Sequence, residues 1–338
     1  MTDDFEGVQI SVVGVGGGGS NCVSRMMSSG IKSARTVAIN TDSRHLLITQ
    51  AHKKVLIGKK ITRGMGAGGD EKIGEKCAEM DAALIKEAIG NSNLVFVTAG
   101  MGGGTGSGAA PVVARIAKEM GAITIGVVTY PFALERTRLR KAEMAINRMV
   151  KECDTLVVID NNRLLSYAPN LPLNQALEMV DSVTQRAVVG ISDTIILPSL
   201  MNIDYADVKS VMANRGIAMI SLGEGYGYTK IEDAAKSALE HPLLDTTYEG
   251  AKAALVHIEG NSSLTLGEAI KLGNMITDRF DPDANVKIGA RILPDIEGVR
   301  VTTIVAGLSS PCFLNGKATS SSANSVVQNY SPETLYTL

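Results

Sequence analysis

Three stretches of the chain are almost bare of side chains where a strand should hand over to a helix. Gly14-Val-Gly16-Gly17-Gly18-Gly19 follows the apolar run 8–13, and Gly102-Gly103-Gly104-Thr105-Gly106-Ser107-Gly108 follows Leu94-Val-Phe-Val97. Between them lies Gly64-Met-Gly66-Ala67-Gly68-Gly69. Glycine lets main-chain N–H groups approach a ligand closely and reach φ > 0. A helix N-terminus adds free N–H donors and partial positive charge. Together they suit a phosphate. A flexible linker would not sit between a core strand and a helix whose apolar positions Val112, Val113, Ile116, Ala117 and Met120 recur at helical spacing. A tight turn would need only one or two glycines.

The first loop alone satisfies G-x-G-x-x-G, and Asp42 lies 42 − 19 = 23 residues beyond it, at the end of the second expected strand. That is the dinucleotide fingerprint. An NAD-dependent oxidoreductase would use this loop only, leaving the other two and the distant Asp207 without a task. Neither loop that joins a strand to a helix ends in the G-K-[ST] of a Walker P-loop. Three backbone-rich loops imply instead a long phosphate chain held by N–H donors and helix dipoles. The ligand expected is a nucleoside triphosphate, with Mg²⁺ sharing its charge.

The elements that must position these loops alternate through the first half. Strands are expected at 8–13, 36–39, 55–57, 94–97, 123–129 and 156–159, with helices at about 21–28, 71–90, 109–120 and 136–152. This β-α-β order predicts a parallel sheet with helices on both faces and ligands at the C-terminal strand edge. A long helical pattern follows at 173–191. Beyond it come strands at 218–221, 253–257, 287–292 and 299–306 and helices near 204–213, 230–240 and 265–280. The fold class is thus α/β: a Rossmann-like nucleotide domain over 1–172, a central connecting helix over 173–197, and a second, smaller α/β domain over 198–315. Residues 316–338 lose periodicity and read as a flexible tail.

Bulk properties exclude several classes. A formal net charge of −2 supplies no basic field for nucleic acid or an anionic membrane. Aromatics at 4%, with no Trp, argue against base-stacking platforms. The four cysteines are scattered and the four histidines add no cluster, so no metal site built from side chains is expected. No basic, apolar leader follows Met1, and no apolar run approaches the roughly 18 residues of a membrane span. Direct membrane insertion is not expected, and the chain reads as cytoplasmic.

Taken in order, the glycine loop, Asn40-Thr-Asp42, GMGAGG, GGGTGSG, Pro131-Phe-x-x-Glu135, Asn161-Asn-Arg-Leu-Leu and Asn202-Ile-Asp204-Tyr-Ala-Asp207 resemble the FtsZ family, the prokaryotic branch of the tubulin superfamily. The resemblance covers about 8–310. It implies a tubulin/FtsZ fold and a GTPase that cycles between GTP and GDP with Mg²⁺. On that basis Gly16, Gly17, Gly18 and Gly19 wrap the α- and β-phosphates together with Gly102, Gly103, Gly104, Thr105, Gly106, Ser107 and Gly108, Thr105 adding a hydroxyl. Gly66, Ala67, Gly68 and Gly69 sense the γ-phosphate, and Asp42 belongs to the same nucleotide-binding set. Asp181 accepts from guanine N1–H and the 2-amino group, Asn161 makes a second base contact, and Asn21 meets base or sugar, unless it is only an N-cap. Glu135 binds ribose. The arginine that follows is Arg138 by anchoring on Ala142-Glu143, with Arg140 as the alternative.

Asn202, Asp204 and Asp207 stand too far along the chain plan to reach the same molecule's phosphates easily. Their spacing puts both carboxylates on one side of a helical turn, which suits water activation and is equally an ordinary acidic helix start. The resemblance implies that this loop completes the nucleotide site of the next subunit, so that assembly into head-to-tail filaments switches hydrolysis on. It further implies a division ring at mid-cell and membrane-tethering division proteins that grip a C-terminal motif, although the usual motif is not recognisable in residues 316–338.

Overall fold

Strands rich in Val, Ile and Leu, buried on both faces, set the frame, as parallel strands covered by helices must be. The computed structural model describes residues 7–163, 170, 172–197, 199, 201–213, 216–240 and 251–307; the expected tail at 316–338 lies outside them. Six strands, β1 (Ile10–Val15), β2 (Arg35–Asn40), β3 (Lys53–Leu56), β4 (Leu94–Gly100), β5 (Ile123–Tyr130) and β6 (Thr155–Asp160), pair in parallel in the order β3-β2-β1-β4-β5-β6. The sheet continues through β7 (Gly216–Gly225), β10 (Val299–Ala306), β8 (Ala253–Gly260) and β9 (Asn285–Ile292). Only β10 runs against its neighbours.

Two helical layers cover the first half. Over one face lie α1 (Gly16–Ser28), the long α8 (Leu173–Ile196) and α9 (Tyr205–Met212), which share a core containing Val12, Met26, Phe96, Val183, Val188 and Val211. Over the other lie α4 (Glu71–Met80), α5 (Ala82–Ile89), α6 (Gly104–Glu119) and α7 (Arg136–Glu152), packed around Val13, Ile39, Ile85, Val97, Val113 and Ile146. A separate core under α10 (Lys230–Leu239) and α11 (Leu266–Thr277) contains Ile231, Ala235, Val256, Leu272 and Val301. The halves meet where β6 and β7 share three residue pairs, Thr155–Gly216, Leu156–Ile217 and Val157–Ala218. The central helix α8 ties them further: Arg186 pairs with Glu224 on β7, Asp193 with Arg291 on β9 at 2.6 Å, and Thr194 with His257 on β8 at 2.5 Å.

Several boundaries differ from the sequence reading, for identifiable reasons. Helix α1 begins at Gly16 rather than near residue 21, because the glycines themselves form its first turn. The single helix expected over 71–90 is two, divided at Asp81, whose carboxylate accepts the Gly58 N–H at 2.6 Å. Two short helices were not foreseen, α2 (Ser43–Ile48) and α3 (Lys59–Thr62). The central helix runs on to Ile196.

Close packing in the second half is tested at Gly223. A β-carbon there would lie 2.1 Å from the Ala234 carbonyl oxygen and 2.8 Å from the Ala238 nitrogen, forcing α10 off β7. Gly223→Ala should therefore destabilise the protein by about 1–3 kcal/mol, read as a lowered urea midpoint with an unchanged slope.

Candidate functional site

Both helices that open on glycines begin without a side-chain cap and without an acidic residue in the first turn; the residues preceding them are Val15 for α1 and Gly103 for α6. Asp42, Asp70, Asp204 and Thr265, by contrast, cap α2, α4, α9 and α11 through their side chains. The first-turn N–H groups of α1 and α6 thus remain available to an external anion. The two ends converge. A β-carbon on Gly16 (φ +72°) would lie 2.8 Å from the Gly106 nitrogen, and one on Gly106 would lie 2.4 Å from the Gly100 oxygen. Gly18 abuts Gly100, and Gly19 sits on the Thr98 carbonyl. Gly17 and Gly103, on the other hand, face open space. Glycine is needed on the inner side so that the helix ends can meet.

The third loop joins from the side. A β-carbon on Gly104 would come within 2.8 Å of the Asp70 nitrogen and 2.9 Å of the Ala67 β-carbon, while Gly68 and Gly69 face open space with φ +60° and +77°. Gly108 presses against the backbone of Glu71 and Glu75. Thr41 links β2 to the second and third loops: its hydroxyl meets that of Thr105 at 2.7 Å in a buried contact, and its carbonyl accepts the Gly66 N–H at 3.1 Å. Ser107 Oγ accepts the Gly102 N–H at 2.7 Å, which shapes the turn ahead of α6. Asp42 stands beside Gly66, and its Oδ1 accepts the N–H groups of Arg44 and His45. Its visible task is to cap α2 and hold the strand end. Lys141 Nζ donates to the Gly69 carbonyl at 2.5 Å, anchoring the loop to α7.

Further groups line the same strand edge. Asn161 follows β6, is 8% exposed, and its Oδ1 has no hydrogen-bond partner among the described residues. A buried amide oxygen without a donor points to a ligand N–H. Asn21 lies in the second turn of α1, so it is not the N-cap; its Oδ1 contacts His45 Nε2 at 3.1 Å. Glu135 accepts the Phe132 N–H through Oε1 at 3.1 Å and the Arg138 guanidinium through Oε2 at 2.5 Å. The Arg138 backbone also packs directly on Gly102. The backbone of Arg138 thus adjoins the loop. Asp181 on α8 takes the Arg25 guanidinium at 2.8 Å. Burial nevertheless pushes its carboxyl up to about 6, against the opposing pull of Arg25.

The acidic loop lies elsewhere. Asp204 and Asp207 form a reciprocal box at the start of α9: Asp207 N–H donates to Asp204 Oδ1 at 2.7 Å, and Asp204 N–H to Asp207 Oδ2 at 3.4 Å. Asn202 Oδ1 accepts the Ser199 N–H at 3.0 Å, and Lys287 Nζ meets Asp207 Oδ1 at 2.8 Å. Between the two carboxylates, Tyr205 donates its hydroxyl to the Asn93 carbonyl at 3.0 Å. Asn93 precedes β4, whereas the phosphate loop follows its other end. Seven residues at about 3.3 Å each separate these edges by roughly 20 Å. Within one molecule, Asp204 and Asp207 do not reach the glycine loops.

The sequence reading missed Thr41, Arg25 and Lys287. The Asn40-Thr-Asp42 stretch was noted without assigning Thr41 its hub. The two cations carry no motif of their own and are identified only by the carboxylates they meet.

Comparison with known proteins agrees. The profile of the Tubulin/FtsZ family GTPase domain matches residues 9–169, and that of the FtsZ family C-terminal domain matches 216–309. Cell division protein FtsZ 2 of Methanocaldococcus jannaschii is 52% identical over 315 residues, covering 92% of this chain and 83% of that protein. The chain belongs to the FtsZ family. A second relative, FtsZ 2 of Haloferax volcanii, is 48% identical over 309 residues, covering 91% of this chain and 77% of its own. Among solved structures, an empty FtsZ dimer from M. jannaschii superposes with TM-score 0.86 at 47% identity, over 89% of this chain and 88% of that one. CetZ1 of H. volcanii, at TM-score 0.80 and 22% identity over 91% and 97%, shares the fold. The chain thus has the tubulin/FtsZ fold, with its GTPase domain first and the FtsZ-family C-terminal domain second. Among the described residues, no helix is long and apolar enough to cross a membrane.

The raised carboxyl of Asp181 carries a pH signature. Its folded value, about 6, lies above its ordinary 3.8, so between these values the folded protein holds the proton more tightly than the unfolded chain. Stability from this group is greatest below about pH 4, falls as pH rises to about 6, and is flat above that. Asp181→Asn should flatten the slope between pH 4.5 and 6.5, measured by urea unfolding of both proteins at the two pH values.

Proposed function

We propose that this member of the FtsZ family is a cell-division GTPase that assembles head-to-tail, each active site being shared by two subunits. The observation that carries this reading is the Tyr205–Asn93 hydrogen bond, which holds Asp204 and Asp207 on the edge opposite the glycine loops. A phosphate cradle whose neighbouring aspartates, Asp42 and Asp70, are engaged in capping α2 and α4, and an acidic pair without a phosphate site at the other end, are complementary halves. Exposed apolar side chains favour the same reading. Leu47, Ile48, Met65 and Leu134, on segments that adjoin the cradle, are exposed, as a surface that a second subunit covers would be.

The chemistry follows from the donors. First-turn N–H groups of α1 and α6, with the Thr105 hydroxyl, bind the α- and β-phosphate oxygens, and Gly66, Ala67, Gly68 and Gly69 face the γ-phosphate. Guanine N1–H and its 2-amino group donate to Asp181, ionised at neutral pH, and the unpartnered Asn161 Oδ1 takes a further base N–H. Adenine lacks that donor pair. Glu135 accepts from ribose, with Arg138 steadying it. The described residues include no group of three or more His, Cys, Asp or Glu that could hold a metal ion. A site of N–H donors fits Mg²⁺ held mainly by the phosphates and water, where it offsets their charge. In the assembled pair, Asp204 and Asp207 of the next subunit orient a water in line with the γ-phosphorus. The water oxygen bonds to phosphorus as the bond to the bridging oxygen breaks, GDP leaves with that electron pair, and the water proton passes to a carboxylate. Glycine-loop N–H groups stabilise the charge gathering on the phosphate oxygens.

The test is GTP turnover per protein molecule against protein concentration, with light scattering followed in parallel. Turnover should be near zero in dilute protein and rise where scattering begins; constant specific activity down to dilute protein would eliminate the shared site. Asp207→Ala should bind GTP like the parent yet hydrolyse it about 10²–10⁴-fold more slowly. Mixing Asp207→Ala with a variant unable to bind GTP should restore part of the turnover, because the second protein supplies intact carboxylates to the first.

A further inference from the structure

We infer that Lys287 is a positioning residue for hydrolysis, holding the Asp207 carboxylate ionised and aimed as it meets a triphosphate. The inference rests on the shared-site reading and adds a residue that none of the motifs includes. It starts from the way α9 lies along β9. Met201 and Ala290 exchange backbone hydrogen bonds at 3.2 and 3.1 Å ahead of the helix, and Asn285 Nδ2 donates to Ser210 Oγ at 3.1 Å near its end. Strand alternation puts residues 285, 287 and 289 on one face. Gly289 on that face packs so closely that a β-carbon would lie 3.0 Å from Ile203, just ahead of the acidic helix. Lys287 stands between these two fixed points, and its ammonium meets Asp207 Oδ1 at 2.8 Å.

The capping box fixes the backbone of Asp204 and Asp207 but engages Asp207 only weakly, through Oδ2 at 3.4 Å. Lys287 supplies the strong contact on the other oxygen. It is also the cation available there. Of the charges on elements packed against α9, Arg291 on β9 is paired with Asp193, while His257 and Glu259 on β8 lie 3.3 Å from each other. β5 offers only Tyr130, at its far end. On α9 itself stand Asp204, a like charge, and Lys209 in the last turn. Lys287 is the first cause holding the Asp207 carboxyl below its usual range. A part-exposed pair of this kind adds little to stability. Its consequence is electrostatic: a triphosphate brought against two carboxylates disfavours their ionised form, and a neighbouring ammonium opposes that shift.

Two measurements on full-length Lys287→Met and Lys287→Arg test this, with Asp207→Ala alongside. The first is a carbon-detected NMR titration of the Asp207 carboxyl in dilute, GDP-bound protein. Lys287→Met should raise its midpoint and Lys287→Arg should restore it. The second is GTP turnover per pelleted subunit at saturating GTP. Lys287→Met should lower kcat, the more so toward acid pH, with GTP affinity unchanged and activity recovered in Lys287→Arg. An unmoved Asp207 titration, or wild-type turnover in Lys287→Met while Asp207→Ala is inactive, overturns the assignment to Lys287 alone. Full activity in Asp207→Ala would instead remove the shared-site reading beneath it. Loss of polymer by Lys287→Met with GTP binding intact would make Lys287 a contact between subunits and likewise overturn its assignment to Asp207.

Discussion

The first turns of α1 and α6 touch backbone to backbone, and the nucleotide half of the molecule depends on that contact. Two helix ends carry partial charges of the same sign, so bringing them together in an otherwise apolar fold is unfavourable until an anion sits between them. The contact exists because Gly16, Gly18, Gly19 and Gly106 have no side chains to hold the elements apart. From it follow the strand order, which places β1 beside β4, and the lateral approach of α4, whose start is threaded against Gly104 and Gly108. Thr41, locked to Thr105, then fixes β2 and the third loop in the same frame. A single added methyl group at any of the inner glycines would separate elements that must act together.

The opposite end is organised by a different rule. There the chain uses side chains rather than bare backbone: a capping box, a lysine and a tyrosine hold two aspartates in place. Tyr205 is the economical part of the design, because it lies between the two carboxylates in sequence and docks α9 on the edge of β4. The acidic loop is therefore built into the nucleotide domain's own sheet, although most of its surroundings belong to the second half. The pairs that α8 makes with β7, β8 and β9 keep those surroundings in register with the helix that also presents Asp181.

Much of this was legible in the sequence, and what was not has physical causes. The glycine loops were readable because close approach of backbone restricts the residue type itself. The long central helix was readable from its apolar spacing. The start of α1 was not, since glycine is a poor helix former and the apolar pattern begins only after the glycine run; packing on β4 and α6 overrides propensity there. That the backbone of Arg138 lies against Gly102 depends on the phase of α7, which the sequence around it does not reveal. Ion pairs such as Arg25–Asp181 and Lys287–Asp207 join distant parts of the chain, and nothing in local composition marks one lysine among many as the partner. Asp81, which divides the helix expected over 71–90, was hidden for the same reason: its partner is the Gly58 amide across the fold.

The Tyr205–Asn93 bond has a consequence in counting. If each catalytic centre needs the glycine edge of one molecule and the acidic edge of another, a linear chain of n molecules contains n − 1 complete centres. One terminus always carries a bound nucleotide with nothing to cleave it, and the other carries carboxylates with nothing to act upon. Because the two edges are unlike, the contact is heterologous and does not close on itself as a two-fold dimer. The length of the assembly then sets the mean rate per molecule, and its two tips differ in chemical state without any further regulator.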